Sequence, residues 1–289
     1  MKDNIVRGIF LALAGNLCLS VMNACVRWLA LAGYPAEMII FFGGVISLFC
    51  LVAWMTFFGK WPSVFRYHPC LALYFISAVG ACFCLFNAFS KGNLPEVATV
   101  TAASPFVIAL LGRFLLKERL GILQGIFILI GFVGVLLVFR PRTGMTDPAI
   151  LQLALLGVFL FACSNIVVRR LRENISPKTF ILSFYIGVAL IAWIVADFKP
   201  VMPGHLPVFL LAGMCDIGAL AFIYAALKSM PATYAAPFQY STIIWSMLFN
   251  FMIWKQIPDG WTLAGAMTVI VAGLLFSKSV IALQKDRLA

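Results

Sequence analysis

The sequence predicts an all-α integral membrane protein of ten transmembrane helices, built as two inverted five-helix repeats. Three observations carry this. Hydrophobic residues make up 63% of the 289-residue chain and charged residues only 11%, with mean hydropathy +1.05; soluble domains carry about 25% charged residues. The apolar residues fall in runs of about 20, the length that crosses a bilayer. The stretch at 11–29, LALAGNLCLSVMNACVRWL, returns at 153–171 as LALLGVFLFACSNIVVRRL. Eight positions match in register, against roughly two expected by chance in segments this rich in Leu and Ala. The matches include Asn23 with Asn165 and Arg27 with Arg169, residue types that are costly inside an apolar span.

Taken in order, the expected spans are 5–32, 38–58, 70–90, 95–116, 122–139, 150–168, 179–197, 206–228, 232–254 and 260–281. Turn chemistry separates them: Gly33-Tyr34-Pro35, Gly59-Lys60-Trp61-Pro62, Lys91-Gly92-Asn93 and the segment 200–207. The repeat continues past span 1. Pro35 matches Pro177, FNAFSKGNLP echoes IYAALKSMP, and Leu116-Lys117-Glu118 echoes Trp254-Lys255-Gln256. Five spans per repeat divide the chain into 1–142 and 143–289. Because five is odd, the second copy runs upside down, the architecture of alternating-access transporters.

The net charge of +11 does not form a nucleic-acid footprint. The cations lie in short clusters between apolar runs. With the N-terminus inside, Lys2, Arg7, Lys60, Arg66, Arg113, Lys117, Arg119, Arg169, Arg170, Arg172, Lys178, Lys228, Lys278, Lys285 and Arg287 fall on the cytoplasmic side. Lys91, Arg140, Arg142, Lys199 and Lys255 fall outside, with Arg27 near the outer end of span 1. This asymmetry places both termini in the cytoplasm. The first span is too long and too polar for a cleaved signal.

Enzyme chemistry is not expected. His68 and His205 lie in loops, and no phosphate-binding P-loop, HExxH or GxSxG occurs. The eight cysteines sit in or beside apolar runs and read as packing residues; Cys82-x-Cys84 lacks further ligands, so no metal or cofactor is expected. Asn174-Ile175-Ser176 fits a glycosylation acceptor but falls on the cytoplasmic side.

Polar residues recur at helical spacing on six spans. Span 1 carries Asn16, Ser20, Asn23 and Arg27; span 3 carries Ser77, Gly80, Cys84, Asn87 and Lys91; span 8 carries Asp216, Tyr224 and Lys228. Span 4 has Thr101, Ser104 and Pro105, span 6 has Ser164, Asn165 and Arg169, and span 9 has Tyr234, Pro237, Gln239, Tyr240 and Asn250. Such faces turn toward a bundle interior. Spans 1, 3, 4, 6, 8 and 9 are therefore expected to surround a path, with 2, 5, 7 and 10 peripheral. Pro105 and Pro237 are hinge candidates or plain packing kinks. Asp216 either binds a cationic substrate group or a proton, or pairs with Arg27 or Arg169. The two arginines either bind a carboxylate or snorkel to opposite membrane faces. Tyr224, Tyr234, Tyr240 and Trp245 either stack on a substrate or pack. Glu96 and Glu118, near span ends, read as solvated or capping groups.

These features, with Ala103-Ser104-Pro105 followed by Leu115-Leu116-Lys117-Glu118-Arg119, resemble the EamA-type carriers of the drug/metabolite transporter superfamily. Ala236-Pro237-Phe238-Gln239-Tyr240, Ile257-Pro258-Asp259 and Gly265-Ala266 are similar to a subgroup that includes S-adenosylmethionine uptake carriers. The resemblance implies a bacterial inner-membrane carrier with a cavity lined by spans 1, 3, 4, 6, 8 and 9. Two departures stand out: Phe41-Phe42-Gly43-Gly44 where many members have an arginine, and Gln256 where an acidic residue is usual. The expected function is secondary transport of a small polar or zwitterionic metabolite, an amino acid or derivative. Asn23, Asn87, Asp216, Tyr224, Gln239 and Tyr240 are the expected substrate contacts. Alternatives are an S-adenosylmethionine carrier and a lipid-linked carrier or flippase. The expected partners are the substrate, the bilayer and protons as candidate coupling ion, in a monomer or homodimer.

Overall fold

The computed structural model describes residues 2–58, 69–116, 121–138, 146–171, 177–229 and 236–288. Several expectations lie outside them: the turn at 59–62, the side chains of His68, Glu118 and Tyr234, the 174–176 acceptor, and the boundary between 142 and 143.

The described chain forms eleven α-helices: α1 (Lys2–Leu31), α2 (Ala36–Phe58), α3 (Pro69–Lys91), α4 (Leu94–Thr101), α5 (Ser104–Leu115), α6 (Ile122–Val138), α7 (Pro148–Leu171), α8 (Pro177–Val195), α9 (Leu206–Ser229), α10 (Ser241–Trp254) and α11 (Gly260–Leu288). Helices α4 and α5 are two pieces of one span, Leu94–Leu115, and α10 extends a 3-10 turn, Ala236–Tyr240. Eight spans are long and apolar enough to cross a membrane. Ile122–Val138 and the 236–254 segment complete the ten. Most bounds match the expected ones within three residues.

Two spans depart from expectation. Span 4 is not continuous: the helix stops at Thr101 and restarts at Ser104. Pro105 has no N–H to return to residue 101 and crowds the backbone ahead of it, so the break falls just before the proline. Span 9 does not run as an α-helix from 232. Its α-helical part begins at Ser241, after the tight turn that contains Pro237, while 230–235 lie outside the described residues. Hydropathy could show neither break, because both runs stay apolar.

Between α1 and α2 the chain reverses at Gly33, whose φ of 93° suits a residue without Cβ. The N–H groups of Gly33 and Tyr34 close on the carbonyls of Ala30 and Leu29, satisfying the helix end.

Helix pairing displays the inverted symmetry. Helix α1 packs along α9, and its counterpart α7 packs along α3. Helix α2 packs on α8, α4 on α10 and α6 on α11, each pair being one span and its copy in the other repeat. In lipid such pairs are held by close packing rather than by expulsion of water. The α6–α11 seam shows this. A Cβ on Gly134 would lie 2.9 Å from the Gly265 carbonyl, and one on Gly265 would lie 2.6 Å from the Gly134 carbonyl. The largest apolar core joins both repeats through Val26, Leu29, Val97, Phe106, Ile243 and Val269. Large apolar side chains such as Phe49, Leu123, Leu129, Trp193 and Phe251 face outward, as a lipid-facing surface requires.

Candidate functional site

A cavity of about 430 Å³ lies among the spans, within the range of small-molecule sites. The expected six spans contribute: α1 gives Asn23, α3 gives Tyr74, Cys82 and Phe86, α4 and α5 give Thr101 and Ser104, α7 gives Phe161 and Ser164, α9 gives Asp216, and span 9 gives Gln239 and Thr242. Span 7 is not peripheral. Helix α8 adds Ile181, Phe184 and Tyr185 to the wall. Among the described residues, α2, α6 and α11 contribute no lining residue to this cavity. A second space of about 50 Å³, walled by Ile39, Ile40, Gly43, Gly44 and Val188, shares Asp216 and Tyr185 with it.

Among the described residues, Asp216 is the one carboxylate in the cavity wall, and no Lys, Arg or His lines it. Its Oδ2 accepts hydrogen bonds from Tyr185 Oη–H at 2.8 Å and from Ser47 Oγ–H at 3.0 Å. Ser47 is fully buried on α2 and also reaches the Gly213 carbonyl at 3.1 Å. That approach depends on Gly213, where a Cβ would meet Ile46 Cβ at 2.7 Å. The expected pairing of Asp216 with Arg27 or Arg169 is not what the structure shows. Its partners are two neutral hydroxyls, because Arg27 is held elsewhere and Arg169 is exposed near the C-terminal end of α7.

The amide side chains form a second polar group in the cavity. Asn23 is 6% exposed, lines the cavity and has no hydrogen-bond partner among the described residues. Gln239 Nε2 donates to Ser104 Oγ at a long 3.4 Å. Apolar and aromatic residues, including Leu85, Phe86, Phe161 and Phe184, make up much of the remaining wall.

Three expected contacts lie away from this cavity. Asn87 donates to Glu37 Oε1 at 3.2 Å and to the Phe83 carbonyl at 3.1 Å. Tyr224 is 48% exposed, with Lys228 Nζ over its ring at 4.7 Å. Tyr240 is 2% exposed, buried in the core near Phe106 and seated directly against Gly273. Trp245 is also outside the lining, its Nε1 buried without a partner among the described residues.

The polar face expected on α3 misses the cavity. The lining face is Tyr74, Ala78, Cys82, Leu85 and Phe89. Ser77 instead returns its hydroxyl to the carbonyls of Leu73 and Tyr74, as serines in apolar helices commonly do. On α1, Asn16 and Ser20 likewise bond to Ala12 and Asn16 carbonyls, leaving Asn23 as the residue of that face that lines the cavity. The residues that sequence reasoning missed are Ser47 and Tyr185. Each is an ordinary residue type in an apolar span, with no local signal.

The end of the bundle that holds the C-terminus of α1 carries a buried polar network. Arg27, 8% exposed, does not snorkel. Its Nη2 donates to Asn93 Oδ1 at 2.7 Å and Gln256 Oε1 at 3.3 Å, and its guanidinium lies 4.9 Å from the Trp254 ring centroid. Glu96, expected to be solvated or capping, is 5% exposed. It accepts from Asn93 Nδ2 at 3.2 Å and from the Thr146 N–H at 2.9 Å. The Asn93 amide thus bridges a buried cation and a buried carboxylate, giving each a hydrogen-bond partner. At the same end Tyr34 Oη and His205 Nδ1 lie 3.0 Å apart, with Trp28 edge-on to the imidazole.

Ten spans in two inverted repeats around such a cavity define the class: a multi-pass membrane transport protein. The family model described as "EamA-like transporter family" matches the chain twice, at residues 6–140 and 149–278. The chain belongs to that family. An "Uncharacterized transporter" of Helicobacter pylori is 26% identical over 289 residues, covering 96% of each chain. The "Pseudopaline exporter CntI" of Pseudomonas aeruginosa is 25% identical over 284 residues, covering 96% of this chain and 98% of its own. An "S-adenosylmethionine uptake transporter" of Rickettsia prowazekii is 26% identical over 187 residues, 63% of each. A solved crystal structure shares the fold at a TM-score of 0.62 and 15% identity, over 95% of this chain and 96% of its own.

Proposed function

We propose that the protein is a secondary transporter that carries a small polar or zwitterionic metabolite, an amino acid or derivative, across the bacterial inner membrane. Both termini would lie in the cytoplasm. The observation that carries this reading is the central cavity with a single carboxylate among its described lining residues, the partly buried Asp216, together with unpartnered amide capacity at Asn23. An ammonium group would sit against Asp216, and hydrogen-bonding groups against Asn23 and Gln239. The inverted repeats rock about this site and expose it to each side in turn. Protons are the coupling ion of this reading, with Asp216 their carrier. Asn87, Tyr224 and Tyr240 lie outside the cavity in this arrangement, so the reading does not use them as contacts. Pro105 and the turn at Pro237 flank the cavity residues Ser104 and Gln239, where a hinge would act on the site directly.

A second reading is S-adenosylmethionine uptake or exchange. It is supported by the names of the Rickettsia relatives and by a carboxylate set among aromatic residues, which suits a sulfonium and a planar base. The relatives include an exporter and uptake transporters, in keeping with a carrier whose direction follows its gradients.

Counterflow in proteoliposomes tests both. Vesicles are preloaded with unlabelled amino-acid mixture or S-adenosylmethionine, and the matching label is added outside. Accumulation of either label, lost in Asp216→Asn, identifies the cargo. Failure of both labels to accumulate with folded protein overturns the two readings together.

A further inference from the structure

The surroundings of Asp216 hold more hydrogen-bond capacity than one charge state can use. Ser47 has a single hydroxyl proton but lies within reach of two acceptors, Asp216 Oδ2 at 3.0 Å and the Gly213 carbonyl at 3.1 Å. It can donate to only one at a time. With Asp216 ionised, Tyr185 and Ser47 both donate to Oδ2, and the Gly213 carbonyl gives up its side-chain donor. With Asp216 protonated on Oδ2, the new O–H donates to Ser47 Oγ. The Ser47 proton then turns to Gly213, and Tyr185 still donates to Oδ2. Each state is complete. The only bond made or lost at the carboxyl is Oδ2–H, and the proton is exchanged with solvent.

We propose that Ser47 and Tyr185 are positioning residues that hold Asp216 ready to take up and release a proton, with the Ser47 hydroxyl turning between Asp216 and the Gly213 carbonyl as it does so. This rests on Asp216 being the working carboxylate of the proposed function, but not on the identity of the cargo. The packing gives the device its surroundings. The titratable groups that face Asp216 are Tyr185 from α8, Cys82 from α3 and Cys215 on α9 itself, and Cys18 and Cys25 from α1 lie beside Cys215. Helix α2 presents Ser47 and no titratable hydrogen-bond partner to Asp216 among the described residues. Among the described residues, no cation is in the cavity wall to fix the carboxylate in its charged form. Glu96, in contrast, is linked through the Asn93 amide to the buried Arg27.

Ser47 also ties this proton site to the packing of the two repeats. It belongs to the first, Asp216 and Gly213 to the second, and the turn of one hydroxyl changes which part of α9 the first repeat holds.

The test is an infrared pH titration of purified protein in lipid, following the carbonyl stretch of a protonated carboxylic acid. A titrating band should be present in the wild type, disappear in Asp216→Asn and move in frequency in Asp216→Glu. Tyr185→Phe removes a donor to the charged form, so its midpoint should move to higher pH by about one unit or more. Ser47→Ala should move the midpoint too, and Ser47→Thr, which keeps the hydroxyl, should restore it. The proposal is overturned if no titrating band depends on Asp216, or if Tyr185→Phe and Ser47→Ala titrate as the wild type does. Counterflow on the same preparations is read separately. Transport without a titrating band rejects the proton device alone, and a titrating band without transport rejects the proposed function alone.

Discussion

At the scale of single residues, two charged side chains within the bundle serve different ends. Asp216 is paired with hydroxyls and open to the cavity, whereas Arg27 is locked among Asn93, Gln256 and the Trp254 ring. Replacing Asp216 with asparagine should leave folding intact and lower counterflow by about ten- to a hundredfold, the worth of a hydrogen bond to a charged group. Replacing Arg27 with alanine should do the reverse of a site mutation. It strands Glu96 as an uncompensated buried charge and should cost about 3–5 kcal/mol, read as a lower Tm in detergent. Arg169→Ala, at an exposed helix end, should stay within about 1 kcal/mol of the wild type. Asp216 was legible in the sequence because a lone carboxylate in an apolar run has few explanations. Its partners were not: Ser47 and Tyr185 stand 169 and 31 residues away, and only the pairing of α2 and α8 with α9 brings them together. Asn87 and Ser77 misled because a polar side chain in lipid can satisfy itself on its own helix.

At the scale of elements, the breaks at Thr101 and ahead of Ser241 set the shape of the site. They place Thr101, Ser104, Gln239 and Thr242 on the cavity wall at the ends of helical pieces. Pro105→Ala restores the missing N–H and favours one unbroken helix. Counterflow should fall while Tm stays level or rises, and an unchanged rate would remove the break from the mechanism. Gly265→Val should separate α11 from α6, because its Cβ has backbone on the far side. The expected cost is about 1–3 kcal/mol, measured as loss of Tm. Span count and bounds were legible, since length and hydropathy control them. Pro105 and Pro237 marked where the spans are interrupted, but hydropathy did not show that the helices stop there, and an almost wholly apolar sequence hid the contribution of α8 to the cavity.

At the scale of the whole molecule, the pairing of each span with its copy, or of α1 with α9 and α3 with α7, means that neither repeat has a core of its own. If the repeats rock, the end closed by Tyr34 and His205 must open once per cycle. In a background lacking native cysteines, cysteines at these two positions joined by a short bifunctional reagent should abolish counterflow, and reduction of a cleavable reagent should restore it. Full transport by the cross-linked form would reject rocking at that end. The same interleaving also constrains biosynthesis. Helix α1 ends at residue 31 and its main partner α9 begins at residue 206, a delay of roughly 10–35 s on the ribosome. Throughout that interval the face bearing Asn23 waits in the bilayer without its lifelong neighbour. The first half is therefore a client of whatever shelters nascent spans. Separately expressed halves, each short-lived alone, should survive and assemble when made in the same cell.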